Sequence, residues 1–363
     1  MLTTGFRISR TLPPLLAVAL GAALACSDDQ SPTQPSAAAP ELSRSANAAY
    51  TLVDLGTLDD ACCSRAAAIN DRGQVVGTSD VPFADDGGPG EDRGTHPFLW
   101  QDGVMTDLGL DFSGASDISN DGTVLVNSGR FDFGVAFLWK DGVLTQLKGL
   151  SDVLDAASAL SPNGQVAGFS VPDHQFSTID AVVWDKSGAI TNLGILAGTA
   201  RSSARDINAK GQVVGDFDSR AALWSGGHFT DLGTLGGQFS IANGINAKGT
   251  IVGCSEFTGG GFGSYHAFVW NDGVMSELLP TLSGGHSCAN DIDNAGRVVG
   301  WADLASGVFH AVIWDHGVIT DLGLLAGAGS SQAIAINAKG TVVGQFQPDP
   351  LELVDHAAMW IRK

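Results

Sequence analysis

The chain has 363 residues, with 39 acidic against 19 basic side chains and a net charge of −20. A surface of that sign repels phosphate backbones and anionic headgroups, which argues against a nucleic-acid partner and against electrostatic adsorption to membranes. Residues 50–363 exceed an average single domain, a length that an internal repeat accounts for.

The chain opens with Arg7 and Arg10, followed by an uncharged apolar run from Leu12 to Leu24. Ala23-Leu24-Ala25 then precedes Cys26. This is the pattern of a secretory signal over residues 1–25, too short to span a membrane. Ala-x-Ala suits ordinary cleavage. The cysteine directly after it suits a bacterial lipoprotein box, although Ala23 stands where Leu is usual. Residues 26–49 are rich in Ser, Pro, Ala and Gln and read as a flexible tether. The expectation is lipidation at Cys26, with plain secretion as the alternative. Either places the protein outside the cell or in its envelope, as an outer-membrane lipoprotein if Cys26 carries the lipid. Membrane contact is then through that anchor alone. Four further cysteines remain, an even number for an oxidising compartment.

From residue 50 onward one phrase recurs seven times and each copy ends in tryptophan: Trp100, Trp139, Trp184, Trp224, Trp270, Trp314 and Trp360. The period of roughly 40–45 residues is that of a four-stranded propeller blade. Strand A closes on Ile69, Ile118, Leu160, Ile207, Ile245, Ile292 or Ile336, and an alanine stands three residues before each. That small residue suits an inner strand, where neighbouring blades crowd. A glycine follows four residues later in every copy, from Gly73 to Gly340, and makes the A–B connection a tight hairpin. Strand B is the Val-Val-Gly run and strand C the His-Ala-Phe-Leu-Trp run. An Asp-Gly turn such as Asp102-Gly103 leads to strand D.

The seventh copy stops after Trp360-Ile361-Arg362-Lys363, with no strand D, whereas Tyr50 to Gly56 is a strand D with nothing before it. A closed ring uses both facts, because the first strand completes the last blade and removes an exposed edge. The expected fold is therefore all-β: a seven-bladed propeller over 50–363, closed by pairing residues 51–55 with the strand around Ala357 to Trp360.

The His-Ala-Phe-Leu-Trp and Ile-Asn-x-x-Gly-x-Val-Val-Gly elements resemble the HAF repeat, a probable extracellular repeat of bacterial proteins. The resemblance covers nearly all of residues 50–363. It implies secretion and a repeat fold and carries over no catalytic residue.

Strand polarity puts the short A–B turns on one face of the disc and the long, variable B–C loops on the other, with the D–A connections. Binding is expected on that second face. The histidine that begins strand C is His96, His266, His310 or His356; Val135, Asp180 and Arg220 replace it in copies two to four. On a ring the four histidines form one continuous arc. They read either as a binding arc, sensitive to pH, or as a repeated structural hydrogen bond that closes the B–C loop. They are too far from the axis to share one metal ion. The loop carrying Asp80, Asp85, Asp86, Glu91 and Asp92 could hold calcium, but it lacks alternating ligand spacing and reads more simply as a solvated acidic loop. No other cofactor is expected. Cys254 and Cys288 fall near that face on adjacent blades, in reach of a disulfide. Vicinal Cys62 and Cys63 cannot easily pair with each other, and they show no metal spacing.

At the central mouth the chain places Arg65, Asp60, Ser203, His286 and Gln332. With no nucleophile elbow, phosphate loop or paired catalytic carboxylates, these support binding better than catalysis. The expected function is a secreted or surface-anchored bacterial binding module, monomeric, for an extracellular protein or glycan. The alternatives are an enzyme, a lyase or hydrolase at the central mouth, and a purely structural envelope protein. Exposed aromatics are few, Phe83 and Tyr265 chiefly, which weakens a glycan platform.

Overall fold

The computed structural model describes residues 49–81, 94–130, 133–151, 153–173, 178–194, 201–260, 263–278, 281–351 and 354–363. The signal and tether segments up to residue 48 with Cys26, and Phe83, Asp85, Asp86, Glu91 and Asp92, lie outside the described residues.

Period-two alternation and dense Gly/Asn turns yield strands and no α-helix among the described residues. Strand β1 (Tyr50–Asp54) stands before the first full copy. Copies one to six then supply four strands each, and copy seven supplies three. Copy one gives β2 (Ser64–Ile69), β3 (Val75–Val81), β4 (Gly94–Gln101) and β5 (Val104–Asp107). Copy two gives β6 (Ser113–Ile118), β7 (Val124–Arg130), β8 (Phe133–Lys140) and β9 (Val143–Gln146). Copy three gives β10 (Leu154–Leu160), β11 (Val166–Val171), β12 (Asp180–Trp184) and β13 (Ile190–Asn192). Copy four gives β14 (Ser202–Ile207), β15 (Val213–Phe217), β16 (Arg220–Ser225) and β17 (His228–Gly233). Copy five gives β18 (Gly236–Ile245), β19 (Ile251–Phe257), β20 (Tyr265–Asn271) and β21 (Val274–Glu277). Copy six gives β22 (Ser287–Ile292), β23 (Val298–Asp303), β24 (Phe309–Asp315) and β25 (Val318–Asp321). Copy seven gives β26 (Ser331–Ile336), β27 (Val342–Phe346) and β28 (His356–Arg362).

Within each copy the strands pair antiparallel in chain order, giving an all-β array of four-stranded sheets. In the last sheet the order is β1-β28-β27-β26, with Tyr50 opposite Arg362 and Asp54 opposite Ala358. The Leu55 N–H extends this pairing to the Ala357 carbonyl at 2.9 Å. Copies two and three share one eight-stranded sheet, because β8 and β10 meet in parallel at Gly134 and Leu154.

The core lies between the sheets rather than inside any one of them. Each apolar layer draws on two successive copies, as where Ala159, Ala167 and Val183 face Ala204, Ile207 and Trp224. One layer joins copy seven to copy one, through Val343, Ala357 and Met359 against Ala66, Ile69, Val75 and Phe98. The repeated strand-A alanine is buried in all seven copies. Its neighbour across the hairpin is glycine in six copies, and a Cβ on Gly77 would collide with the Arg65 carbonyl. Burying each large side chain in these layers contributes roughly 1.5–3 kcal/mol.

The A–B turns do more than reverse the chain. The Asn337 side-chain oxygen accepts the N–H groups of Lys339 and Thr341 at 3.1 and 3.0 Å, while its amide donates to the Asn70 carbonyl at 3.0 Å. Asn70 repeats the arrangement toward Ser119, Asn208 toward Asn246, and Asn246 toward Asp293. The turn asparagine thus caps its own hairpin and latches the next sheet. Outside copy three, the C–D turns carry a positive φ on two successive residues, as at Asp102-Gly103 (51° and 89°), the geometry that Asp-Gly favours in a two-residue hairpin.

Candidate functional site

The strand-C histidines are held by acids on strand D. His96 Nδ1 meets Asp107 at 2.8 Å, His310 meets Asp321 at 2.8 Å, and His356 meets Asp54 at 2.9 Å across the β1–β28 pairing. His266 faces Glu277, donates from Nε2 to the Gly285 carbonyl at 2.6 Å, and stacks on Phe257 with centroids 3.8 Å apart. The position changes in concert with its partner. Where Arg220 replaces histidine it pairs with Asp231 at 3.0 Å, and where Asp180 replaces it Asn192 donates at 2.7 Å. Only Val135, opposite a region ending in Gln146, lacks such a pair in the sequence. The expectation of a bond closing the B–C loop is therefore corrected: the partner is the outermost strand of the same sheet. At Asp321, burial works upward on the carboxyl, but the bond from His310, the Gly323 N–H and the histidine's charge outweigh it, and its pKa is lowered.

Two of the mouth residues are paired with acids. Arg65 is bound by Asp355 at 2.9 Å, and the His286 ring and N–H meet Asp303 at 3.1 and 2.6 Å. Gln332 lines a small cavity of about 130 Å³ with Phe309, Gln345 and Asp355. Cys254 on β19 and Cys288 on β22 form a disulfide between adjacent sheets, with Cα atoms 4.8 Å apart.

A different place is the better candidate, and it is marked by failures of the repeat. Six copies begin strand A with a buried serine: Ser64, Ser113, Ser202, Ser240, Ser287 and Ser331. That hydroxyl usually clips two sheets together. Ser240 accepts the Ala221 N–H at 2.9 Å and donates to the Gly233 carbonyl at 2.6 Å; Ser64 does the same with Ala357 and Gly56. In copy three the residue is Asp155. In the preceding strand D, Lys148 stands where Gly56, Gly109, Gly194, Gly233 and Gly323 stand in five other strands and Leu279 in copy five. The serine of the clip is thus lost at the seam of copies two and three, while the Lys148 carbonyl accepts the Trp184 indole N–H at 2.8 Å.

What replaces it is a cavity of about 450 Å³, lined by Gly134, Val135, Gln146, Lys148, Gly149, Ser151 and Asp155. This is the size range of small-ligand pockets. Four of these residues break the repeat: Val135 for histidine, Gln146 for acid, Lys148 for glycine and Asp155 for serine. Asp155 is 6 % exposed, and its Oδ1 has no hydrogen-bond partner. Burial raises its pKa, against a hydrogen bond with the Ser170 hydroxyl. Gly149 lets the chain pass close by, since a Cβ there would collide with the Asp155 carboxylate. A buried carboxylate oxygen without a donor costs about 1–3 kcal/mol or more, so the geometry suits a ligand that brings one.

A second set of carboxylates was also hidden in the repeat. The residue before the strand-A isoleucine is aspartate in copies two, four and six: Asp117, Asp206 and Asp291. Each accepts two backbone N–H groups, one from its own sheet and one from the next. Asp206 takes Ile207 and Ile245, both at 2.7 Å, and Asp117 and Asp291 repeat this with Leu160 and Ile336. All three are part-buried. Burial raises their pKa values to about 6 for Asp117 and Asp206 and about 7 for Asp291, and the charge of another member of the trio raises each further.

Among the described residues, one group of His, Cys, Asp or Glu side chains converges closely enough to share an ion: Cys62, Cys63 and Asp80. The four strand-C histidines do not.

No family model matches the chain, and no curated protein matches it. Solved structures do. The β-propeller domain of the Trilobed protease from Pyrococcus furiosus, a propeller of open velcro topology, superposes with a TM-score of 0.57 at 9 % identity, over 83 % of this chain and 97 % of that one. A streptogramin B lyase gives 0.56 at 10 % identity, over 87 % and 98 %. A puromycin hydrolase mutant gives 0.52 at 15 % identity, over 79 % of this chain and 50 % of that one. These likenesses identify the fold class as a β-propeller and, at such low identity, transfer no activity.

Proposed function

We propose that the chain is a seven-bladed propeller of HAF repeats, exported to the cell surface or medium, that works as a non-catalytic binding module. The eight-stranded sheet counts as two blades joined at one edge. The ligand site is the seam cavity of copies two and three, and the observation that carries this reading is the buried, partnerless Oδ1 of Asp155. A carboxylate in that setting selects a cationic group. The net charge of −20 draws basic partners toward it. An extracellular protein presenting a lysine side chain or amino terminus is therefore favoured over a neutral glycan.

The test is calorimetry of the full chain with a lysine-containing tetrapeptide, its acetyl-lysine counterpart and a neutral chitooligosaccharide. Binding of the lysine peptide alone, lost in Asp155→Asn, supports the proposal. Saccharide binding that survives Asp155→Asn moves the ligand class to glycan. Lysine-peptide binding that survives the substitution removes the cavity from the site.

A further inference from the structure

Where copy one begins, Cys62 and Cys63 sit side by side in the loop before β2. Both are half-buried thiols. Their Sγ atoms are 3.0 Å apart, and Cys62 Sγ is 3.4 Å from the Asp80 carboxylate. The loop does not hang loose. The Asp80 N–H donates to the Cys63 carbonyl at 2.9 Å, and the Ser79 hydroxyl donates to the same oxygen at 3.2 Å. Strand β3 thus delivers the carboxylate and clamps the thiols beside it.

Neighbouring residues do not form an easy disulfide, since Cα atoms about 3.8 Å apart lie below the usual span of about 4.4–6.8 Å. The pair is present as thiols, whereas Cys254 and Cys288 are joined. Two sulfurs and one oxygen converging from one side form the donor set of a soft or borderline ion with an open coordination position.

We propose that Cys62, Cys63 and Asp80 form a site for a thiophilic divalent cation such as zinc or cadmium. Binding forms two metal–sulfur bonds and one metal–oxygen bond. It releases the two thiol protons to solvent and leaves the oxidation states of metal and sulfur unchanged. A tetrahedral ion with metal–sulfur bonds of about 2.3 Å sets its sulfurs about 3.8 Å apart. The thiols need only open by a fraction of an ångström, which side-chain rotation supplies. This site is independent of the seam cavity, being in copy one.

The experiment is an anaerobic cadmium titration of the full chain, purified with the Cys254–Cys288 disulfide intact. The expected result is one ion per chain, a near-ultraviolet sulfur-to-cadmium charge-transfer band, and release of close to two protons per ion at neutral pH. Zinc should displace the cadmium and bleach the band. Cys62→Ser and Cys63→Ser should each abolish stoichiometric binding, and Asp80→Asn should weaken it by at least about tenfold. Asp80→Cys adds a third sulfur, and it should strengthen binding and intensify the band; it reports on the site even if the serine variants fold poorly. A band that persists in the Cys62→Ser/Cys63→Ser double variant overturns the proposal. So does wild-type binding without proton release, or an Asp80→Cys variant that folds but binds no better than wild type.

Discussion

Asp155→Ser puts back the residue found at this position in the other six copies. The substitution removes a buried carboxylate oxygen that has no donor, at a native cost of about 1–3 kcal/mol or more for a charged group. It also supplies a hydroxyl of the kind that accepts the Ala221 N–H at Ser240, a bond worth about 1 kcal/mol. The lost volume adds to an existing cavity of about 450 Å³ rather than opening a new apolar void, so little is subtracted. The ligand-free variant should gain about 2–4 kcal/mol. At about 2–4 °C per kcal/mol for a domain of this order of size, Tm should rise by roughly 4–16 °C. The same variant should lose affinity for the lysine peptide, the trade of stability for function expected where a site holds an uncompensated group. Differential scanning calorimetry at neutral pH, with and without the peptide, reads both effects. A Tm unchanged or lowered without ligand would refute the reasoning, because the carboxylate would then not be a native liability.

Three further outcomes follow from the same geometry. The carboxyls of Asp117, Asp206 and Asp291 titrate higher in the folded chain (about 6, 6 and 7) than near 3.8 when unfolded. The folded state therefore holds more protons between those values. Their contribution to stability is fully present below about pH 4 and is lost as pH rises through about 6 to 7, on the order of 3 kcal/mol per carboxyl. Chemical denaturation from pH 5 to 8 should show falling stability that Asp291→Ala flattens; a slope unaltered by that substitution would count against the trio as its source. Asn337→Ala removes the turn cap and the latch to the Asn70 carbonyl, and urea denaturation should report a loss of about 1–3 kcal/mol. Replacing His310 and His356 together by Asn should cost about 0.5–1 kcal/mol at each broken pair and leave lysine-peptide affinity within twofold. A large loss of affinity with stability intact would restore the histidine arc as the binding site.

Much of the fold was legible before any coordinates. Glycine four residues beyond the strand-A isoleucine, Asp-Gly ahead of strand D and valine runs between them specify hairpins through local backbone preference, which needs no tertiary context. The pairing of β1 with β28 was legible from the complementary incomplete copies at the two ends. The site was half legible. Asp155 and Lys148 are visible departures once the serine and glycine columns are aligned, but the position after the serine varies as well, from Arg65 to Gln332. Variation alone does not separate tolerated surface from a replaced clip. What distinguishes Asp155 is that a buried serine with two partners has become a carboxylate with an oxygen that has none, and burial is not written in any single residue.

Local sequence determined the strands, the turns and their succession, because each depends on neighbours within a few residues. Tertiary structure alone decided three things. It set the histidines against strand-D acids rather than against the B–C loops. It brought Asp117, Asp206 and Asp291, separated by two copies at each step, into mutual repulsion. It turned a lost serine clip into a cavity. Each rests on contact between residues from different strands or different copies, and the packing of one sheet on the next creates that proximity. A repeat specifies its own sheet; only the packing of one sheet on the next decides what happens where two unlike copies meet.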